Sequence, residues 1–424
     1  MDESFSIIGT TRLNRQRVGD RILTRRPLPM SDPTPTPQPV PQTTVSVYVG
    51  PSLESIRAMA AGHFNVKDAF LDQYGVPTVL VAAEPVKTKF AALLKELQPQ
   101  SLVAAIRGHG DTLTLKFFQK PQTRPSRKWI NLILFLATLG TVFIAGFIAW
   151  NELGGDIIAP SSNPYFEGGV FAIGLLAIIG LHEFGHQVAI RYHGLDATLP
   201  YFIPGPPYLV PFGTFGAVIS LREPPHNRDQ LFDLGLSGPL VGFLALVGVY
   251  IAGIIFSYPL SANQVADLIN RGVPYSSDPL TNPLILRLLD TLTPILRPDL
   301  LLADTNYSQL FTAAQIGALL TFLNLIPAWQ LDGGHIWRAT FGVEGHRIAT
   351  TLGIFALFVP ALFGYGGFIG FAVLLLLFMS FSRRGLGGVE PLDDVSPISN
   401  WRKMMFLLAL AALVLSIALI PTPL

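Results

Sequence analysis

The sequence contains no cysteine. That excludes disulfides and thiolate ligands, so any bound metal must be held by histidine and carboxylate. Charge is also scarce. Only 13% of the 424 residues are Asp, Glu, Lys or Arg, and 29 basic against 28 acidic residues leave a net charge of +1. A chain so close to neutral carries no electrostatic footprint for nucleic acid, which is excluded as a partner. The first 26 residues hold six arginines but no apolar run, so they do not read as a cleavable secretory signal. What is abundant is apolar surface. Half of the residues are hydrophobic, a balance that predicts a polytopic α-helical membrane protein with the lipid bilayer as its solvent.

Three regions follow from the order of the chain. Residues 1–44 combine a basic arm with a proline-rich linker (PLPMSDPTPTPQPVPQT) of polyproline character. Residues 45–122 read as a small cytoplasmic α+β domain. VSVYV alternates as a strand, two helical stretches follow, and PTVLVAA, VKTKFAALLKEL, SLVAAIRG and TLTLKFF read as strand, helix, strand and strand. Gly108 to Asp111 form the expected hairpin turn, and His63 and His109 have no spacing suited to metal or catalysis.

Residues 123–424 predict about seven transmembrane helices, near 129–150, 164–194, 234–256, 310–341, 348–363, 365–381 and 404–420. Lys120, Arg124, Arg127 and Lys128 precede the first span while Glu152 and Asp156 follow it, which places the amino terminus in the cytoplasm. Residues 199–221 are apolar but hold five prolines, Pro200, Pro204, Pro206, Pro207 and Pro211, and predict a re-entrant hairpin packed inside the protein. Within it, Gly213 and Gly216 flank Phe215 in a stretch that reads as a strand with an open edge. In the span from 310 to 341, Pro327 and Gly333-Gly334 predict a break at membrane depth, with Asn324 and Asp332 beside it.

The second span carries His182, Glu183 and His186. Histidines at i and i+4 share one face of a helix, so both imidazoles reach a single Zn2+ while the glutamate stays beside its open position. His182 lies 18 residues after Pro164, roughly 27 Å along the helix, so the motif sits within the membrane near the cytoplasmic face. Zinc held by two histidines needs a third protein ligand. Asp332, at the same depth, is the obvious donor, and His335 is its rival.

HEFGH at 182–186 and NLIPAWQLDGG at 324–334 resemble the two signatures of the site-2 protease family of intramembrane zinc metalloproteases. PFGTFGAVI and LSGPLVG are similar to segments of that family's core, closest to its cyanobacterial and plastid branch. The resemblance covers about 165–345. It implies that His182, His186 and Asp332 bind zinc, that Glu183 is the general base, and that Asn324 assists near the reacting carbonyl. It also implies transmembrane proteins as substrates, in a prokaryotic cell membrane or a thylakoid membrane.

A helical substrate hides its peptide bonds in its own hydrogen bonds and must unwind to be cut. The strand edge at Gly213, Thr214, Phe215, Gly216 and Ala217 is the expected place to hold it extended. The amino-terminal region shows no PDZ-like signature. Two other classes compete with a protease: an inactive membrane scaffold of the same fold, which would lose the metal constellation, and a metal transporter, which would spread polar groups along a path.

Overall fold

The computed structural model describes residues 50–109, 111–120, 127–273, 282–303, 305–359, 367–381 and 389–417. The basic arm, the linker and the strand expected at 45–49 lie outside the described residues. Residues Ser46–Leu424 form one compact unit.

The first layer is a four-stranded antiparallel sheet in the order β1-β2-β4-β3, built from β1 (Val66–Leu71), β2 (Pro77–Ala82), β3 (Leu102–His109) and β4 (Thr112–Gln119). Two helices pack on it, α1 (Leu53–Ala61) and α2 (Lys87–Leu97). Alternation decides which side chains enter the core: Val79 and Val81 of β2 and Leu113, Leu115 and Phe117 of β4 are buried against Ile56, Phe90, Leu93 and Leu97. One expectation fails here. The second of the two helical stretches is an edge strand, β1, because pairing with β2 overrides a local helical pattern.

Among the described residues, three helices are long and apolar enough to cross a membrane: α3 (Lys128–Glu152), α5 (Pro164–Tyr192) and α6 (Arg228–Ile255). Asn163 caps α5 by accepting from the Tyr165 amide, with Pro164 at the first helical position, and Asn227 caps α6 in the same way through Gln230. The four-residue helix α4 (Gly155–Ile158) joins α3 to α5. Between α5 and α6 the chain forms a hairpin of β5 (Tyr201–Pro204) and β6 (Thr214–Val218), with a register shift between Phe202 and Pro204. Its backbone is satisfied from α3. Asn131 donates to the carbonyls of Leu199 and Pro200 at 3.0 and 2.9 Å, and Thr141 donates to Gly213 at 2.7 Å. Gly213, with φ of 75°, packs so closely on Thr141 that a Cβ would stand 2.4 Å from its carbonyl oxygen.

The polar stretch from 259 to 308 holds short elements: β7 (Tyr258–Leu260), α7 (Ala262–Asn270), α8 (Leu284–Asp290), α9 (Thr293–Leu296) and β8 (Thr305–Tyr307), with β7 and β8 paired. The stretch 310–341 is broken as expected. α10 (Gln309–Leu325) ends before Pro327, and α11 (Asp332–Phe358) starts afresh at Asp332. The separation expected between the spans 310–341 and 348–363 falls at Gly342, whose non-helical backbone (φ 72°, ψ −163°) divides α11 into two helical segments. Then come α12 (Gly367–Phe381) and α13 (Asn400–Leu415).

Candidate metal centre

Three elements meet at the motif. α5 presents His182 and His186, α11 presents Asp332 in its first turn, and α6 forms the wall behind them. That wall is made of small residues for a steric reason. A Cβ on Gly238 would stand 2.2 Å from Nε2 of His186, one on Gly242 would stand 3.0 Å from His182, and one on Gly235 would stand 2.7 Å from the Asp332 carbonyl. Gly185 on α5 faces the Ser237 carbonyl at 2.4 Å in the same sense. The contact between α5 and α6 is thus nearly backbone to backbone, which brings the imidazoles against the α6 axis.

The donor atoms converge. Nε2 of His182 and Nε2 of His186 are 3.1 Å apart, Oδ2 of Asp332 is 3.2 Å from the first, and Oδ1 is 3.5 Å from the second. His182 is 7% exposed and the neighbouring Glu183 is 6% exposed, so the site is largely shielded from solvent. The His186 Nδ1–H donates to the Leu234 carbonyl at 2.9 Å. That bond fixes the tautomer and leaves an Nε2 lone pair aimed at the other donors. Two imidazole lone pairs and a carboxylate so close together repel unless a proton or a cation lies between them.

The separations also fit a metal. Ligands on a tetrahedral zinc with bonds near 2.0–2.1 Å stand roughly 3.3 Å apart, close to all three distances. His182, His186 and Asp332 are the one group among the described residues with three such ligand atoms within 4.8 Å of one another.

The amide nitrogen of Asn324, at the end of α10, lies 3.5 Å from Nε2 of His182, beside the cluster. His335 points elsewhere: its Nδ1–H donates to the Leu331 carbonyl at 2.8 Å, one turn back. Gly333 and Gly334 let α11 begin against the break. A Cβ on Gly333 would stand 2.1 Å from the Leu325 carbonyl, and one on Gly334 would stand 2.3 Å from that of Trp329. Trp329 itself has φ of 45°, a strained value for a bulky residue, and its amide donates to Thr350 Oγ1 at 3.0 Å.

Gly213 to Ala217 are placed next to α3, with Phe215 exposed and Thr214 buried. Gln187, immediately after the second histidine, donates to the Thr198 carbonyl at 2.8 Å and ties the start of the hairpin to the motif helix. No hydrogen bond joins Gly213–Ala217 to the His/Asp cluster among the described residues. β6 pairs with β5 on one side, and no strand covers its other edge among the described residues. An apolar cavity of about 820 Å³ lies against Phe212, Ile316, Phe322 and Pro327.

Leu234 escaped the sequence reading, because a backbone carbonyl leaves no residue-type signal. Gly238 and Gly242 stand in the LSGPLVG segment, but what they make room for depends on the packing of α6 against α5.

Residues 170–365 match the model of peptidase family M50. This match agrees with the resemblance of the two motifs, at 182–186 and 324–334, to the site-2 protease family. Over 316 residues the chain is 27% identical to the "Probable zinc metalloprotease EGY1, chloroplastic" of Arabidopsis thaliana, covering 69% of this chain and 54% of that protein. It is 28% identical over 290 residues to the "Probable zinc metalloprotease EGY2, chloroplastic" of Oryza sativa subsp. indica, covering 66% and 48%. It is 26% identical over 296 residues to the "Probable zinc metallopeptidase EGY3, chloroplastic" of Arabidopsis thaliana, covering 67% and 48%. The chain spans about half the length of the curated relatives it matches. No solved structure matches it.

Proposed function

We propose that the protein is an intramembrane zinc metalloprotease that cleaves the transmembrane segments of membrane-anchored proteins. One observation carries this: the 3.1, 3.2 and 3.5 Å triangle formed by His182 and His186, on the membrane-length helix α5, with Asp332 at the start of α11. Two imidazoles and one carboxylate are the donor set of a catalytic zinc with an open position. The match to peptidase family M50 and the names of the plant relatives support zinc and proteolysis.

When bound, zinc supplies a Lewis acid that polarises the scissile carbonyl and lets water act as a nucleophile near neutral pH. Glu183, buried between the two histidines in sequence, takes a proton from the attacking water on its carboxylate and hands it to the leaving amine. Asn324, whose side-chain amide faces the cluster, donates to the carbonyl oxygen as charge builds there. The outer edge of β6, from Gly213 to Ala217, holds the unwound substrate extended by backbone pairing.

In this reading α3, α5, α6, the α10–α11 pair up to Gly342, the rest of α11, α12 and α13 make seven crossings. The amino-terminal sheet lies on the cytoplasmic side. Basic residues at Lys128, Arg191, Arg338, Arg347, Arg402 and Lys403 gather on that side. The membrane is that of a prokaryotic cell or a thylakoid, in keeping with the chloroplastic relatives. The test is zinc analysis of purified protein beside a cleavage assay on a transmembrane substrate: about one zinc per chain and cleavage that Glu183→Gln abolishes. A chain that cleaves without holding zinc would overturn the reading.

A further inference from the structure

Arg338 lies on α11 six residues after Asp332, roughly 9 Å along the same helix. It is 1% exposed, a depth at which a guanidinium requires a partner. That partner comes from 56 residues further on. Nη1 and Nη2 of Arg338 donate to the two carboxylate oxygens of Asp394 at 2.8 and 2.6 Å, a bidentate fork. Arg228, in the first turn of α6, adds a third bond to the same carboxylate at 3.1 Å and a fourth to the Asp394 carbonyl at 2.7 Å. Asp394 therefore ties the start of α6 to the start of α11. These are the two helices that meet where Gly235 backs Asp332.

Asp394 is held in place by an extended strap, residues 389–399. The Leu392 carbonyl accepts from the Ile106 amide at 2.9 Å and from Arg107 at 2.8 Å, so the strap runs beside the edge strand β3. On its other side the Leu392 and Asp393 amides donate to the Pro225 and His226 carbonyls, each at 2.8 Å. The Leu392 side chain belongs to the same buried cluster as Ile106 and Phe90. One segment is thus wedged between the amino-terminal sheet and the membrane helices. It lies outside the part of the chain that matches the peptidase family.

We infer that Asp394 is a positioning residue for the metal centre: through Arg338 it sets where α11, and with it the Asp332 carboxylate, stands against His182 and His186. This rests on the proposed zinc site. Because the strap is also bonded to β3, the amino-terminal sheet is coupled to the ligand geometry through the same carboxylate.

The experiment measures the rate at which a chelator strips zinc from full-length protein in detergent, for wild type, Asp394→Asn, Arg338→Lys and Glu390→Gln. Asp394→Asn keeps the shape of the side chain but loses the charge on which the fork closes. It should release zinc about 10-fold faster or more, with kcat reduced and KM held. Arg338→Lys keeps the charge, loses the bidentate fork, and should fall between the two. Glu390→Gln alters only an exposed contact with Arg107 and should match wild type. If Asp394→Asn does not fold, the comparison rests on Arg338→Lys, whose zinc release must then exceed that of Glu390→Gln. Zinc release and kcat indistinguishable from wild type in the folded variants would overturn the inference. Wild-type protein without zinc would instead overturn the reading on which it rests.

Discussion

Gly238 and His186 stand so close that a single methyl group on the glycine would lie 2.2 Å from the imidazole Nε2. The glycine is on α6 and the histidine on α5, and the gap between them is set by backbones on both sides. Gly238→Ala must therefore push the imidazole out of the donor triangle or spread the helices. The expected result is zinc affinity lower by about 10-fold or more, with the protein still inserted and folded. Gly242→Ala, whose Cβ would meet His182 at 3.0 Å, should do the same more weakly. Zinc titration of the two variants checks the order, and equal affinities would show that the wall does not constrain the ligands.

The third ligand is a choice between Asp332 and His335. Asp332→Ala should abolish cleavage and weaken zinc binding, whereas His335→Ala should leave zinc occupancy near one per chain, because its Nδ1–H is directed at the Leu331 carbonyl. Metal analysis of both variants decides it, and the reverse pattern would move the ligand to His335.

How much of this was legible in the sequence follows from the range of the interactions. The His182–His186 pair and the break at Pro327 are local and obey helix geometry and proline chemistry, so both could be read directly. Asp332 against His335 could not be settled by depth, since three residues on a helix differ by less than one turn. The direction of the His335 ring depends on where α11 restarts, and that is fixed by Gly333 packing on Leu325. The edge strand β1 read as helix because its pairing with β2 is not a local property. Arg338 and Asp394 are separated by 56 residues and unmarked by any motif, so only the fold brings them together.

A third prediction concerns the hairpin. Tyr201 pairs with Val218 and Phe202 with Ala217, so of the two neighbouring amides at 217 and 218 one faces β5 and the other faces outward. Proline at Ala217 or at Val218 removes one of these donors. The outward one should cut cleavage sharply while zinc content and folding hold, and the inward one should disturb the hairpin itself. Thr141→Val, which removes the donor to Gly213, should shift the hairpin and lower cleavage without loss of zinc. Cleavage and zinc assays on the two proline variants check this, and equal, negligible losses would leave the hairpin a structural plug.

The strap gives a stability prediction. Leu392 is 7% exposed within the core of the amino-terminal sheet, so Leu392→Ala should cost about 2–4 kcal/mol there through lost burial and a residual cavity. Protease sensitivity between residues 50 and 120 would report it. A variant as resistant as wild type would show that the strap does not hold the sheet.

Acid should act on the same contact. Burial pushes the Asp394 carboxyl up, but the hydrogen bonds from Arg338 and the charges of Arg338, Arg228 and Arg107 outweigh it and hold the group below the usual value of 3.8. A carboxyl depressed on folding contributes stability that is present above that value and lost as pH falls through the folded one. Wild type should lose heat stability below about pH 4 more steeply than Asp394→Asn, which has no such proton to gain. Melting curves across this window would contradict the assignment if the two slopes coincide.

The most direct measurement is zinc content beside cleavage in three proteins: wild type, Glu183→Gln and His186→Ala. The account predicts about one zinc per chain and cleavage in wild type, the same zinc with no cleavage in Glu183→Gln, and loss of both in His186→Ala. Full zinc in His186→Ala, or cleavage surviving in Glu183→Gln, would contradict it.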